Sequence, residues 1–411
     1  MVSTAAQLQI NPLSPENLAD PIPLYREMRA NTPVFWSDML NAWFITRYND
    51  VKNCFRDSRL TGDRRKLFAL QLGALGPEVI ESFMRSLSNQ VGMKDGADHL
   101  RLRRQMNPGF TPQVIDSWCP AIRRAMNQLL DQVQAEGRMD VAQLISNYLP
   151  PRVIAEILGV PPQAHQQFQV WSEALSALAS PPQGSDIGQL ARQADEASRD
   201  FAAYLSELID KRRHSPEHDV LSLMIHAEHV GKMSHEEMLA NASLLLSAGY
   251  KTTSDLISNA VHELLTHPEQ LRKLQEDRSL LKSTVDEVLR YRPPLPFFIR
   301  VASEPLKLHD KTIRVGDVVF LGIGAANRDP DAYPDPDVFD ITRDSTQQKN
   351  LSFGFGAHHC IGSGLARREL EITLDVLLDR MPGLRLDEER PPKVKCDSLL
   401  FRGFNSLPVR W

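Results

Sequence analysis

The chain has 411 residues, of which 42% are hydrophobic and 24% are charged, the balance of a globular protein with a large core. Its 47 Lys and Arg residues against 52 Asp and Glu residues give a net charge of −5, which argues against nucleic acid or an anionic membrane surface as a partner. No signal-like basic and apolar segment opens the sequence, and no run of about 18 apolar residues occurs. We therefore expect a soluble, cytoplasmic, monomeric protein without a membrane segment.

The four cysteines, Cys54, Cys119, Cys360 and Cys396, are far apart and share no paired spacing. In a chain of this length they indicate reduced thiols of an intracellular protein and argue against a disulfide framework. The sequence contains no internal repeat and no long Gly/Ser linker, so we expect a single domain over residues 1–411.

In chain order, the first predicted element is a short strand at residues 43–48, which alternates and is rich in aromatic and β-branched residues. Helical periodicity dominates after residue 97. The stretch at residues 180–189 is predicted to be a loop between two helices.

A long central helix is predicted to begin at Ser234, because Ser234 and Glu237 form the Ser-x-x-Glu pattern of a capping box. It should end before Pro268 after about 33 residues, long for a globular helix. Its middle, Leu244 to Ala248, is apolar on nearly every side, which indicates that the helix passes through the centre of the protein.

Three further elements follow. A helix over residues 283–292 should be stopped by Pro293 and Pro294. Residues 306–321 indicate a hairpin with turns near Asp310 and Gly316. A last long helix should follow Gly362, so the predicted fold is mainly α with minor β.

The segment from Phe353 to Arg368 contains a single cysteine, Cys360. The glycines around it permit unusual backbone angles and a close approach of the backbone to a flat ligand. A helix is predicted to begin just behind Cys360, where the helix dipole and free N–H groups stabilise a thiolate. This combination suits a thiolate metal ligand.

Two other interpretations of Cys360 remain open on the residues alone. One is a buried free cysteine beside a tight turn, the commoner fate of a lone cysteine. The other is a zinc site of His358, His359 and Cys360. It is disfavoured because three adjacent side chains cannot all turn inward and no second ligand pair has zinc spacing.

The pattern Phe353-x-x-Gly356-x-His358-x-Cys360-x-Gly362 resembles the haem-binding signature of the cytochrome P450 family. Other segments resemble the family's motifs in their expected order: His99-x-x-x-Arg103, Ala248-Gly249-Tyr250-Lys251-Thr252-Thr253, and Glu287-Val-Leu-Arg290 with Arg343 as the third member of a salt-bridged triad. The chain is similar to the soluble bacterial members over essentially its whole length.

The resemblance implies the cytochrome P450 fold, in which haem lies between the long central helix and the proximal cysteine loop. Cys360 would ligate the iron of heme b, and its thiolate would favour O–O bond cleavage. The buried propionates need cationic or hydrogen-bonding partners. The residues at matching cofactor-binding positions are His99, Arg103, Arg300, Phe353, Gly354 and His358.

The resemblance assigns oxygen activation to Thr252, beside Ala248 and Gly249, whose small size leaves room for dioxygen. A threonine in the middle of a helix usually bonds back to a carbonyl one turn earlier. Lys251 departs from the family, which usually carries Asp or Glu here, because an ammonium group only donates hydrogen bonds. We hypothesise an altered proton route, with Lys251 paired to Asp255 or with a substrate hydroxyl taking part; alternatively, Lys251 points away and has no role.

The resemblance also implies where the substrate pocket lies. Its wall should come from residues 60–93, the middle of the central helix, residues 295–299 and a C-terminal turn over residues 399–401. The expected contacts are Leu244, Leu245, Ala248, Leu295, Phe297, Phe298, Leu400 and Phe401. This mostly apolar wall suits a hydrophobic small molecule. The most similar family members act on macrolides, polyketides and related secondary metabolites.

Electrons should come from a separate ferredoxin with its reductase, or from a flavodoxin-type donor. Arg101, Arg104, Arg367 and Arg368 are candidates for a basic docking face near Cys360, or else form a solvated helix face. The expected reaction is insertion of one oxygen atom from O2 by hydroxylation or epoxidation. Two alternatives are kept: peroxide-driven oxidation, dehydration or coupling on the same scaffold, and a non-catalytic haem-binding protein.

Overall fold

The computed structural model of the protein describes residues 11–72, 75–179, 181 and 184–411. Within these ranges the helices are Pro15–Ala19 (α1), Ile22–Asn31 (α2), Tyr48–Cys54 (α3), Arg65–Leu72 (α4), Glu81–Asn89 (α5), Gly96–Met106 (α6), Pro112–Asp131 (α7), Leu149–Ile157 (α8), His165–Ala179 (α9), Ile187–His214 (α10), Val220–His229 (α11), His235–Thr266 (α12), Pro268–Glu276 (α13), Leu281–Tyr291 (α14), Ile323–Ala326 (α15) and Ser363–Arg380 (α16).

The strands are Val34–Ser37 (β1), Ala42–Ile45 (β2), Leu60–Thr61 (β3), Arg138–Asp140 (β4), Phe297–Ala302 (β5), Leu306–Leu308 (β6), Lys311–Ile313 (β7), Val318–Gly322 (β8), Arg385–Leu386 (β9), Lys393–Val394 (β10), Phe404–Ser406 (β11) and Pro408–Arg410 (β12). The prediction of a mainly α fold with minor β is confirmed. No helix in the part of the chain that the structure describes is long and apolar enough to cross a membrane.

The largest sheet has the strand order β1-β2-β8-β5-β3. The pair β2–β8 is parallel and the other pairs are antiparallel. Phe44 of β2 stacks on Phe320 of β8 with ring centroids 4.8 Å apart, and Phe297 of β5 meets Phe44 edge-on at 5.4 Å. Phe297 and Phe320 also line the cavity described below. The packing of these rings therefore fixes one wall of that cavity.

Helix α12 begins and ends as predicted. The Ser234 hydroxyl accepts a hydrogen bond from the Glu237 N–H at 3.1 Å, and the Glu237 carboxylate accepts one from the Ser234 N–H at 2.9 Å, so the capping box is complete. The helix has 32 residues and stops before Pro268. Most of its residues are buried, which confirms that it passes through the core.

Three predicted elements need correction. The strand at 43–48 ends at Ile45, and Tyr48 begins α3, where its N–H donates to Asp329 and its hydroxyl to the Lys349 carbonyl. In 306–321 only β6 and β7 form a hairpin, because β8 pairs with β2 and β5. The loop at 180–189 lies partly outside the described residues, and α10 already begins at Ile187.

The ion pair predicted in α14 is fully buried. The Arg290 guanidinium donates two hydrogen bonds to the Glu287 carboxylate, both at 2.7 Å. Its other three N–H groups donate to the carbonyls of Asn327, Pro336 and Val338. All five donors of the guanidinium are therefore used. Arg343 Nε lies 3.4 Å from the Glu287 carboxylate, so the predicted triad is confirmed.

Candidate active site

The cysteine loop reverses direction just before α16. Gly354 and Gly356 have φ values of +70° and +79°, a conformation that residues with a side chain rarely adopt. Between them and the helix, the Cys360 N–H donates to the Phe353 carbonyl at 2.9 Å. These two features hold Cys360 three residues ahead of the first turn of α16, as the sequence predicted.

Burial raises the pKa of the Cys360 thiol. The N–H groups of Gly362 and Ser363 and the charge of Arg103 act in the opposite direction but do not outweigh it. The N–H groups at the start of α16 therefore favour the thiolate, as expected from the sequence, but burial has the larger effect. A bound metal cation would add further stabilisation, because a thiolate ligand loses its proton when a metal binds.

A cluster of cationic and imidazole groups lies beside this loop. The ring centroids of His99 and His358 are 4.1 Å apart. Burial and the charges of His358 and Arg103 lower the pKa of His99 to about 4, and Arg300 contributes in the same direction. The structure therefore brings together the four residues predicted to hold the propionates.

Two members of this cluster are buried without an anionic partner. The His99 Nδ1 atom is buried and has no hydrogen-bond partner. Arg300 is 6% exposed, and its guanidinium donates to the neighbouring Ile299 carbonyl at 3.1 Å. Burial, followed by the charge of Arg64, lowers the pKa of Arg300 to about 10. A buried guanidinium without an anionic partner, beside a buried imidazole nitrogen without a hydrogen-bond partner, fits a ligand with anionic substituents, such as the two propionates of haem.

His358 and Arg103 are tied to the protein as well. His358 Nε2 lies 2.9 Å from the Asp95 carboxylate. Partial burial acts to raise the pKa of Asp95, but hydrogen bonds with His358 and Thr61 lower it to about 2. Arg103 donates to the His359 carbonyl at 2.5 Å. Among the described residues, no three His, Cys, Asp or Glu side chains are arranged to hold a metal ion, which argues against the zinc interpretation.

An apolar cavity of about 510 Å³ lies beside the central helix. Its wall includes these predicted substrate contacts: Leu244, Ala248, Leu295, Phe297, Phe298, Leu400 and Phe401. The predicted 60–93 region contributes Arg64, Leu67, Phe68, Phe83, Ser86, Leu87, Gln90 and Met93. The sequence-based choice did not single out Leu175 or Ser176 of α9, or Asp397, because none carries a motif.

Two predicted site residues face away from the cavity. Leu245 is 6% exposed and packs in the main hydrophobic core. A Cβ atom on Gly249 would lie 3.2 Å from the side chain of Ile154 in α8. The small size of Gly249 therefore allows α8 and α12 to pack closely, which corrects its expected place beside dioxygen.

Thr252 makes a hydrogen bond within its helix and also lines the cavity. Its hydroxyl donates to the Ala248 carbonyl at 2.9 Å, the common bond of a threonine within a helix. Thr252 and Ala248 nevertheless both line the cavity. Because the hydroxyl proton is used within the helix, the oxygen offers its lone pairs to the cavity.

Of the alternatives for Lys251, the ion pair with Asp255 is not formed, because Asp255 binds Lys395 instead. Asp255 is 1% exposed in its side chain, and its Oδ1 atom binds the Lys395 ammonium, while Oδ2 is buried without a partner. Burial raises the pKa of Asp255. The Lys251 ammonium instead lies over the ring of Phe401, 5.1 Å from its centroid, and burial followed by the charge of Lys395 lowers the pKa of Lys251.

The C-terminal turn that carries Phe401 is anchored at both ends. The Lys395 ammonium binds Asp255 of α12 at one end. At the other end Asn259, one turn further along α12, donates to the Arg402 carbonyl at 2.9 Å, and the Arg402 N–H donates to the Pro294 carbonyl at 2.8 Å. These contacts fix the position of the turn relative to the central helix.

The proposed basic docking face is largely neutralised. Arg101 binds Glu237 at 2.6 Å, Arg367 binds Asp286, and Arg368 binds Asp116 and Glu371 at 3.0 and 2.8 Å. Arg104 is exposed. Two cations outside the predicted set also contact the cysteine loop, namely Lys52 and Arg56, which lie 5.2 and 4.5 Å from the centroid of the Phe355 ring.

Comparisons with known proteins agree with this geometry. A family model described as cytochrome P450 matches residues 76–402. Cytochrome P450 CYP107DY1 of Priestia megaterium is 36% identical over 409 residues, 96% of this chain and 97% of that protein. Mycinamicin IV hydroxylase/epoxidase of Micromonospora griseorubida is 36% identical over 90% of this chain and 89% of that protein. The solved structure of P450BioI in complex with hexadec-9Z-enoic acid ligated acyl carrier protein superposes with a TM-score of 0.88 at 35% identity, covering 97% of this chain and 100% of that chain.

The different environments of two adjacent leucines lead to a prediction. Leu245→Ala should lower the free energy of unfolding by about 2–5 kcal/mol, because it opens a void in the close-packed core. Leu244→Ala should cost clearly less, because its side chain borders a cavity that already exists. Urea unfolding of both variants measures the difference. Equal losses would contradict the assignment of Leu244 to the cavity wall.

Proposed function

This chain belongs to the cytochrome P450 family and is a monooxygenase with a haem–thiolate cofactor, and we propose that it hydroxylates or epoxidises a hydrophobic secondary metabolite of the polyketide or macrolide type. The observation that carries the proposal is the apolar cavity onto which Thr252 and Ala248 of α12 open. Relatives with names of this class, such as mycinamicin IV hydroxylase/epoxidase and 6-deoxyerythronolide B hydroxylase, support the substrate class.

We assign the cofactor contacts to the residues that the structure gathers around the cysteine loop. Cys360 is the proposed thiolate ligand, and His99, Arg103, Arg300 and His358 are the proposed partners of the propionates. When bound, haem supplies the iron at which dioxygen is activated. The protein supplies the buried guanidinium of Arg300 and the buried imidazole of His99.

Thr252 is the proposed group for positioning a proton donor. Its hydroxyl proton is held by the Ala248 carbonyl, so the oxygen accepts a hydrogen bond from a water molecule or a substrate hydroxyl in the cavity. Such a donor is then fixed beside the wall to which the substrate binds. The surrounding apolar residues exclude other water and keep the proton supply restricted to this position.

The second candidate function is peroxide-driven oxidation on the same scaffold. It is favoured by Lys251, which stands where the family usually carries a carboxylate. Peroxide already brings the protons that a relay from solvent otherwise delivers, so an enzyme using it has less need of an acid at this position. The mechanism with dioxygen needs another route by which protons reach the cavity. Asp255 and Lys395, which bind each other next to Lys251, are the ionisable groups that we propose for this route.

We place the docking surface for the electron donor around the outside of the cysteine loop. Lys52 and Arg56 lie over the Phe355 ring of this loop, and Arg103 binds its backbone at His359. Arg104 follows on the exposed side of α6. A small acidic ferredoxin or flavodoxin is complementary to these charges.

The proposed function is tested with purified haem protein, a surrogate ferredoxin and reductase, NADPH and a panel of macrolides and polyketides. We expect at least one compound to shift the Soret band and to give a product that carries one oxygen atom from labelled O2. Cys360→Ala should lose both this activity and the red-shifted band of the reduced carbon monoxide complex. Turnover with hydrogen peroxide alone would support the second candidate, and a histidine-type carbonyl band in the wild type would contradict both.

Lys251→Glu tests the role of the unusual lysine. We expect product formed per electron consumed to fall severalfold, because a carboxylate placed near Asp255 and Asp397 loses the contact with Phe401 and repels both groups. The ratio of product to NADPH consumed is measured beside Lys311→Glu, a charge reversal in the exposed β6–β7 hairpin. An unchanged ratio would show that Lys251 has no part in proton delivery.

Arg56→Glu tests the docking surface. At low ionic strength we expect reduction by ferredoxin to slow by about threefold to tenfold, since reversing one exposed charge weakens electrostatic steering. At about 0.5 M salt the difference should disappear, because the charges are screened. Stopped-flow reduction is compared with that of Arg385→Glu, a charge reversal in the exposed strand β9. Equal slowing in the two variants would contradict the location.

A further inference from the structure

We propose that Arg64 binds a carboxylate of the substrate, so that the enzyme selects hydrophobic molecules with one acidic end. The inference rests on the proposed function, because it specifies which molecules enter the same cavity. It starts from the unusual position of a guanidinium group in an otherwise apolar wall.

Arg64 lines the cavity, and its Nε–H group is buried with no acceptor. The adjacent carboxylate of Asp63 is taken up by Arg65, which donates to it from Nε at 2.8 and 3.0 Å and from Nη2 at 2.5 Å. Removing a cation from water without an anionic partner is costly. A ligand that brings an anion removes this cost when it binds.

The other charge on the described wall has a partner. Asp397 is the only acidic side chain of the described lining, and its charge partly opposes the lowering of the Lys251 pKa that burial and Lys395 cause. Asp397 and Lys251 therefore balance each other at the C-terminal turn. Arg64 is left as the unmatched charge, and a planar guanidinium binds a carboxylate through two parallel hydrogen bonds.

Arg64 is distinct from the groups assigned to the haem propionates. His99, Arg103, Arg300 and His358 are absent from the described cavity wall, whereas Arg64 is part of it. Arg64 is nevertheless near enough to lower the pKa of Arg300 by its charge. The two cations therefore lie on either side of the boundary between the cofactor region and the substrate cavity, with Arg64 on the substrate side.

The rest of the wall defines the remainder of the ligand. Arg64 directly precedes α4. Leu67 and Phe68 line the cavity from α4, and Phe83 and Leu87 line it from α5. These side chains favour a hydrocarbon chain or ring next to the acidic end. The ligand class is therefore an amphipathic carboxylic acid, with the charged group at Arg64 and an apolar body along the wall.

The test compares two probes of equal chain length, dodecanoate and 1-dodecanol, titrated into the haem protein and followed by the Soret shift. The wild type should bind dodecanoate more tightly than the alcohol. Arg64→Gln should weaken dodecanoate binding by about tenfold to one hundredfold and change alcohol binding by less than about twofold, because only the carboxylate loses a charge-assisted bond. Lys66→Gln, which removes an exposed cation of α4 and leaves the Asp63–Arg65 pair intact, is the matched control and should leave both affinities unchanged.

Several outcomes would overturn the inference. A wild type that binds dodecanoate no more tightly than 1-dodecanol has no carboxylate site. Equal weakening for both probes in Arg64→Gln would mean that Arg64 only shapes the cavity. Loss of haem from Arg64→Gln, with the ratio of the two affinities unchanged, would assign Arg64 to the propionates. An enzyme that oxidises neutral macrolides but ignores dodecanoate would retain the proposed function and lose this inference alone.

Discussion

The buried guanidinium of Arg290 is the constraint on which the rest of the site depends. A guanidinium removed from water needs an acceptor for each of its five N–H groups, and here the acceptors are Glu287 and three carbonyls between Asn327 and Val338. Asn327 in turn accepts from the Leu351 N–H and donates to the Ser352 hydroxyl. The cysteine loop begins directly after Ser352. Its position therefore depends, through Asn327, on the buried guanidinium of Arg290.

Much of this arrangement follows from local chemistry that the sequence displays. The capping box of Ser234 and Glu237 marks the first turn of the central helix because both groups lie within one turn of it. The glycines around Cys360 mark the loop that precedes α16, because two of them adopt positive φ. The mainly helical fold and the cysteine loop could therefore be predicted from local patterns. The gathering of His99 with His358 was predicted only from the resemblance to the motifs of the cytochrome P450 family.

The features that could not be predicted depend on rotation about a helix axis or on distant partners. Leu244 and Leu245 are both apolar, and about 100° of rotation separates them on the helix, yet one lines the cavity and the other packs in the core. A pair between Asp255 and its neighbour Lys251 was one alternative, but the partner of Asp255 is Lys395, 140 residues away. The sequence of α12 alone predicts neither the orientation of these leucines nor the partner of Asp255, because both depend on contacts with other segments of the chain.

The anchored C-terminal turn has a consequence for how enzymes of this shape diversify. Its ends are held to the central helix through Lys395 and Arg402, whereas the side chains of Leu400 and Phe401 between them line the cavity. Exchange of the wall residues changes the outline of the cavity without cutting either attachment. New ligand preferences can therefore evolve at this turn while its two attachments to the central helix are kept.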